Sequence, residues 1–209
     1  MKSIAILGAS GHGKVLAEIA LLCGYTSVYF FDDRYPGLDK LESWRVIGNT
    51  EDLVLRCKEF SAVCIGIGEN KIRLAKQVLL EQADARIVSL VHPNAVVSQF
   101  ARIEAGSVIM ACAVVGSFSI IGKANIVNTG ATVDHDCRLD DGVHISPGAK
   151  LAGSVEVGVC SWVGMGASVL QALKLGTNVI VGAGACVIHP VENNSTVIGS
   201  PARPIISLR

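Results

Sequence analysis

Residues 97–187 read, in blocks of six, VSQFAR IEAGSV IMACAV VGSFSI IGKANI VNTGAT VDHDCR LDDGVH ISPGAK LAGSVE VGVCSW VGMGAS VLQALK LGTNVI VGAGAC V. Every block opens on Val, Ile or Leu, so stepping by six from Val97 through Ile103 and Ile109 to Val187 meets sixteen aliphatic residues in succession. Gly follows the aliphatic residue repeatedly, at 116, 122, 158, 164, 176 and 182. A period of six is neither the ~3.6 of an α-helix nor the ~2 of a half-buried strand. It fits a parallel β-helix in which each hexapeptide forms one flat face of a triangular coil and turns its aliphatic residue to the axis. Three hexapeptides make one coil, so residues eighteen apart share a column, and successive coils stack about 4.8 Å apart. Narrow corners favour Gly, Ala, Ser and Asn, and the thin interior admits branched aliphatics but not rings.

The composition agrees with such a core. Of 209 residues, 50% are hydrophobic but only 5% aromatic and 17% charged, with 22 Gly. Mean hydropathy is +0.49, yet no stretch approaches the roughly 18–20 uninterrupted apolar residues of a spanning helix. The opening MKSIAILGASGHGK reaches Gly and His too soon for a signal peptide. A soluble cytoplasmic chain is expected. Eighteen basic and eighteen acidic residues cancel, which argues against a broad surface for nucleic acid or anionic lipid. The seven Cys show no CxxC pair, so neither a disulfide framework nor a zinc site is suggested, and buried free thiols are expected.

Before residue 93 the grammar is different: short aliphatic runs alternate with helix-like segments, the rhythm of an α/β layer. SIAILG predicts a strand and HGKVLAEIALLCG a helix ending at Gly24. TSVYFFDD predicts a second strand, closing on two carboxylates. A loop with Pro36 and Gly37 leads to a helix capped by Thr50, then the strand SAVCIGIG, the helix NKIRLAKQVLLEQ and the strand RIVSLV. The division expected is a Rossmann-like domain over residues 1–92 and a β-helix with a C-terminal tail over 93–209.

Gly8-Ala9-Ser10-Gly11-His12-Gly13 lies between a strand and a helix, where glycines let backbone approach a phosphate and the helix N-terminus supplies N–H groups. It is not a P-loop, because Val15 stands where Ser or Thr would hold Mg²⁺. Its spacing is GxxGxG rather than GxGxxG, and the α/β segment is short for a full dinucleotide fold. A shortened site for a nucleotide diphosphate fits better. Asp32 and Asp33 end the second strand where such folds place an acid on a ribose hydroxyl. Gly66 and Gly68, followed by Asn70 and Arg73, end the next strand on the same sheet edge. Ser10, Gly11, His12 and Gly13 complete the nucleotide-sugar edge, with His12 read as a loop residue near phosphate.

Among small, bland hexapeptides, residues 128–136 concentrate polar groups, with Asp134, His135 and Asp136 in a row. A neutral imidazole near pH 7 suits a general base, and a neighbouring carboxylate orients it and raises its basicity. Column arithmetic sets Gly153 beside His135 on the adjacent coil and Gln171 next in line, leaving a gap about one side chain deep. His92 and His189, each before Pro, read as punctuation. Cys137 should point its side chain opposite to that of Asp136.

The hexapeptide repeat, closing on VIGSPARPI, resembles the hexapeptide-repeat acyltransferases, whose β-helix is left-handed. Together with the N-terminal α/β unit it is similar, over essentially the whole chain, to the PglD-like sugar acetyltransferases. The resemblance implies a homotrimer with active sites in clefts between neighbouring β-helices, acetyl-CoA as cosubstrate with no permanently bound cofactor, and no metal. It implies transfer of acetyl to the 4-amino group of a UDP-4-amino-4,6-dideoxy sugar, as in bacillosamine synthesis. His135 would be the base. Asp136 is the first choice for its carboxylate, because an acid follows the base in the family, with Asp134 as the alternative. The resemblance assigns acetyl-CoA to Gly153, to the column Pro147, Met165 and Ala183 from a neighbouring subunit, and to His144 as a donor near the carbonyl. Ala183 stands where the family has Gly. Asn128 is a candidate amide for positioning substrate. The rival readings are acetyl transfer to a hydroxyl, as on sialic acid, and a noncatalytic nucleotide-sugar scaffold.

Overall fold

The computed structural model describes residues 2–205, so the last four residues of the C-terminal tail lie outside the description. The chain divides into two compact units, Met1–Pro93 and Asn94–Arg209.

The first unit runs β1 (Ser3–Leu7), α1 (Gly11–Leu22), β2 (Ser27–Phe31), a hairpin of β3 (Lys40–Leu41) and β4 (Trp44–Arg45), α2 (Thr50–Arg56), β5 (Ala62–Ile65) and α3 (Asn70–Gln82). β1 is central, pairing in parallel with β2, with Leu7 opposite Phe31, and with β5, with Leu7 opposite Ile65. Helix-linked parallel strands are covered on both faces, and Ile4, Ala5 and Ile6 are accordingly fully buried. All three strands therefore end on one edge, at Gly8, Asp32 and Gly66. Helix α1 stops at Gly24, which takes a positive φ of 85° while Tyr25 N–H returns to the Ala20 carbonyl, as a glycine just past a helix end does.

Two local expectations are corrected. The cap of α2 is Asn49, not Thr50: Asn49 Oδ1 accepts from Asp52 N–H and Asp52 Oδ2 from Asn49 N–H, both at 2.9 Å. This is a reciprocal box that a threonine in the first turn cannot make. RIVSLV is a strand only at Leu90–Val91, with an isolated bridge joining Ile87 to Val63.

The second unit is a left-handed parallel β-helix. Its two-residue strands form three sheets, and each pairs with the strand eighteen residues on: Val114 with Thr132 and Thr132 with Lys150, Ile120 with Arg138 and Arg138 with Glu156, Ile126 with His144 and His144 with Trp162. The aliphatic residues from Ile109 to Val187 are at most 3% exposed, while Val97 and Ile103 in the opening coil are half-buried. The final coil is two residues short, since Ile180 pairs with Thr196 rather than with residue 198. Thr196–Ile198 then pairs antiparallel with Arg203–Pro204, so the closing VIGSPARPI folds back as a hairpin.

A second periodicity sets the corners. Every sixth residue from Gly106 to Gly184 has a positive φ. Four residues after most of the aliphatics a small residue is buried, among them Ser107, Ala113, Ser119, Asn125, Ala131 and Cys137, whereas Leu173 and Ala101 at this position are only half-buried. Where this residue is polar it serves corner backbone: Ser107 Oγ donates to Gly122 O at 2.6 Å and accepts from Asn125 N–H at 2.9 Å. A buried hydroxyl here closes two backbone groups that would otherwise be left unpaired.

Candidate active site

The strand-end edge of the first unit carries a pocket of about 190 Å³ lined by Gly8, Ser10, Asp32, Asp33, Gly68 and Lys76 among others. Around Gly8, glycines pack closely on one another. A Cβ on Gly13 would stand 2.2 Å from Gly8 O, and one on Gly66 would stand 2.8 Å from Gly13 Cα. Gly11 and Gly68 face open space instead. Ser10 caps α1 and spends its hydroxyl on the protein, donating to Gly66 O at 2.9 Å and accepting from Gly13 N–H at 3.3 Å.

Asp32 Oδ2 accepts from Ala9 N–H at 2.8 Å, and Arg34 reaches both of its oxygens and the Ala9 carbonyl. Burial alone would raise the Asp32 pKa, but the hydrogen bonds from Arg34 and Ala9 outweigh it and hold the carboxyl below its ordinary value. Asp33 accepts from Thr50 N–H and from Lys76 Nζ, each at 2.9 Å. Against a raising effect of burial, these bonds bring its pKa down to about 2. Both acids are therefore ionised at neutral pH. Lys76 and Arg34 went unseen in the sequence; Lys76 falls two helical turns into α3, and only the fold brings it to Asp33.

Arg73 is placed differently from expectation. It is 1% exposed, and its guanidinium donates to Ile67 O, Gly68 O and Asn70 Oδ1, so it braces the Gly66–Gly68 loop from behind, with Asn70 also buried. His12 has its Nε2 buried without a hydrogen-bond partner among the described residues. Burial, then the charge of Arg73, lowers its pKa to about 4, so the ring is neutral at physiological pH.

In the second unit the corner after Thr132–Val133 carries the polar run. His135 Nδ1 lies 2.7 Å from Asp136 Oδ2, while Asp134 Oδ1 accepts from His135 N–H at 2.8 Å. The two acids thus divide the work: Asp136 meets the ring and Asp134 fixes the backbone. The Asp136 hydrogen bond is the main reason that the His135 pKa is raised; desolvation opposes it, and the charges of Asp134 and Asp136 add to the rise. Cys137 turns inward, its Sγ on Ala152 O at 3.2 Å.

Gly153 stacks beside His135 as the column arithmetic requires, but the gap it leaves is not open. A Cβ on Gly153 would lie 2.5 Å from both Cε1 and Nε2 of His135. The imidazole itself fills the space, because Asp136 draws the ring along the coil axis. Beneath the corner, a Cβ on Gly116 would stand 2.7 Å from His135 N. Ser119 Oγ donates to Asp134 O at 2.5 Å and accepts from Cys137 N–H at 3.0 Å. Gly116 and Ser119 were both missed, although subtracting eighteen from Asp134 and Cys137 finds them.

Asn128 and His144 also meet. Asn128 Oδ1 accepts from Thr129 N–H at 2.8 Å, which turns its Nδ2 toward His144 Nε2 at 3.1 Å. The amide donates, so a neutral His144 carries its proton on Nδ1. Met165 and Ala183 are exposed, and Gly166 N–H to Pro147 O and Gly184 N–H to Met165 O, at 3.0 and 2.8 Å, stack their column. This column lies twelve residues, two corners, beyond that of His135.

Comparison with known proteins gives these features a setting. Residues 3–78 match the PglD N-terminal domain family. The acetyltransferase domain of PglB from Neisseria gonorrhoeae, solved with acetyl coenzyme A, is 41% identical with a TM-score of 0.94, covering 98% of this chain and 99% of that one. PerB from Caulobacter crescentus, solved with CoA and GDP-perosamine, is 33% identical with a TM-score of 0.93, covering 98% and 97%. A UDP-N-acetylbacillosamine N-acetyltransferase of Bacillus subtilis is 37% identical over 116 residues, 53% of this chain and 52% of its own.

Proposed function

Because the chain belongs to the PglD-like sugar N-acetyltransferases, which move acetyl from acetyl-CoA to an amino group of a nucleotide sugar, we propose that its acceptor is a UDP-4-amino-4,6-dideoxy sugar and that His135 is the base of the transfer. The observation that carries the mechanism is the 2.7 Å pair of His135 Nδ1 and Asp136 Oδ2. With Nδ1–H donated to the carboxylate, Nε2 presents its lone pair. As the sugar amine attacks the thioester carbonyl, Nε2 takes its proton and the new C–N bond makes a tetrahedral oxyanion. His144 supplies a hydrogen bond in the region of that carbonyl. The oxyanion collapses, the C–S bond breaks, and the CoA thiolate recovers the proton from the His135 imidazolium. The products are an amide and CoA thiol, with no covalent enzyme intermediate.

The nucleotide belongs on the strand-end edge of the first unit. Backbone N–H groups at the start of α1 suit the diphosphate, and the ionised Asp32 and Asp33 suit ribose or base hydrogen bonds. The UDP form is favoured by the name of the Bacillus relative; the Caulobacter neighbour, solved with a GDP sugar, supplies the comparison to test. Acetyl-CoA is assigned to Gly153 and to the Pro147, Met165 and Ala183 column. Within one chain that column and His135 occupy different corners of the triangle, and the homotrimer that the family resemblance implies would bring the two corners of adjacent chains together in its clefts.

CoA thiol release measured with UDP- and GDP-linked 4-amino sugars, their 4-hydroxy counterparts and free sialic acid tests the assignment. The UDP-amino sugar should be turned over with the highest kcat/KM. Preference for a GDP-linked sugar would overturn the nucleotide assignment, and turnover of the hydroxyl acceptors would overturn N-transfer. Tight UDP-sugar binding without turnover of any acceptor would favour the scaffold.

A further inference from the structure

We propose that Phe100 and Phe118 form the surface that receives the acceptor sugar beside His135, packing on the apolar face of the pyranose and its C5 methyl group. This rests on the amino-sugar reading above.

Phe100, Phe118 and Asp136 are spaced by eighteen and share one corner column, and Asp136 N–H donates to Ser117 O at 2.9 Å on the coil below. Phe118 therefore sits one coil, about 4.8 Å, from the His135–Asp136 corner and Phe100 one coil further. The two rings stack on each other, with centroids 5.2 Å apart and planes 17° apart. They are the most exposed Phe, Tyr or Trp side chains among the described residues, at 55% and 62%. A β-helix whose interior holds no aromatic ring carries two of the chain's few on its surface, beside the corner of His135.

Phe118 is also in the wrong place for packing. It occupies one of the positive-φ corners, at 62°, where the other positions are held by Gly, Ala, Ser, Cys, Asn or Asp. A bulky side chain in the left-handed region is a strained choice, and an exposed ring contributes little burial to offset it. Strain of this kind is kept where function needs it, and a contiguous exposed apolar patch marks a binding surface.

The direction of approach fits. His135 lies over Gly153 on its C-terminal side, and the residues assigned to acetyl-CoA run further that way, to Met165 and Ala183. The acceptor must reach the same imidazole from the N-terminal side, where the Phe pair lies. A 4-amino-4,6-dideoxy sugar offers this surface a C–H face and a methyl group; a 6-hydroxy sugar would bury a hydroxyl against rings that cannot bond it.

Steady-state kinetics of wild type, Phe118→Gly and Phe100→Ala, with the 6-deoxy UDP-amino sugar and its 6-hydroxy analogue, tests the proposal. Glycine relieves the positive φ, so Phe118→Gly should fold at least as well as wild type. KM for the 6-deoxy sugar should rise about tenfold in Phe118→Gly, the scale of a lost methyl contact. KM for acetyl-CoA should stay within about twofold, and the preference for the 6-deoxy over the 6-hydroxy sugar should narrow. An unchanged sugar KM and preference in both variants would overturn the proposal. So would a fall in sedimenting mass in either variant, which would assign the rings to contact between chains. Wild type that turns over no amino sugar is a separate outcome, overturning the underlying function and this subsite with it.

Discussion

His135 can serve as the proposed base only when neutral, and its hydrogen bond to Asp136 raises its pKa. The acid limb of kcat/KM should therefore fall as pH drops through that raised value. Asp136→Asn removes the cause, so the inflection should move to lower pH while kcat at the plateau drops about tenfold or more through weaker basicity and a loosened ring. An inflection that stays in place would assign it to another group. The polar run around His135 was legible because nothing else in the repeat resembles it. The carboxylate was not: Asp134 and Asp136 flank the histidine symmetrically in sequence, and only the left-handed backbone at Asp136, with φ of 58°, curls that side chain onto Nδ1. Arg73 shows the opposite failure. Its place after a glycine-rich strand end points to the nucleotide-sugar edge, but sequence does not reveal that burial turns its guanidinium onto loop carbonyls.

The hexapeptide is the element that carries both stability and site. Its aliphatic residue was legible because burial at one position in six repeats sixteen times. The buried small position was not, since Ala, Ser, Cys, Val and Asn share size rather than polarity, and the left-handed corner was hidden because eight of its fourteen occupants are not Gly. Two expectations belong here. Ala172 is exposed at a φ of 56°, a conformation that costs an L-residue about 1–2 kcal/mol, partly offset by the chain entropy of a glycine. Ala172→Gly should raise stability by up to about 1 kcal/mol, read as a Tm increase of about 2–4 °C; a lower Tm would mean that the corner is not strained. Ser119 clamps Asp134 O and Cys137 N on either side of the base. Ser119→Ala should cost about 1–3 kcal/mol through the unpaired backbone groups. It should also lower kcat while leaving KM for acetyl-CoA and the pH inflection in place, which separates positioning from basicity.

At the scale of the whole molecule, the change of grammar near residue 93 was plain in sequence because period-six repetition begins there, and the chain divides between Pro93 and Asn94. The first unit is legible in sequence as strands and helices, but its hairpin at Lys40–Arg45 is not, since two-residue strands carry no periodicity. The proposed assembly has a direct consequence for activity. With His135 and the Met165 column on different corners, activity should require association, and sedimentation should give about three times the 21.9 kDa chain mass. Active monomers would contradict a cleft between chains. The proposed transfer requires His135 to take the proton of a UDP-4-amino sugar as acetyl leaves CoA. Its most direct test is the rate of CoA thiol release by wild type and His135→Ala, at saturating acetyl-CoA and UDP-4-amino-4,6-dideoxy sugar. A loss in kcat of about 10²–10⁴ with acetyl-CoA binding retained is predicted, whereas a variant that releases CoA at the wild-type rate would contradict the account.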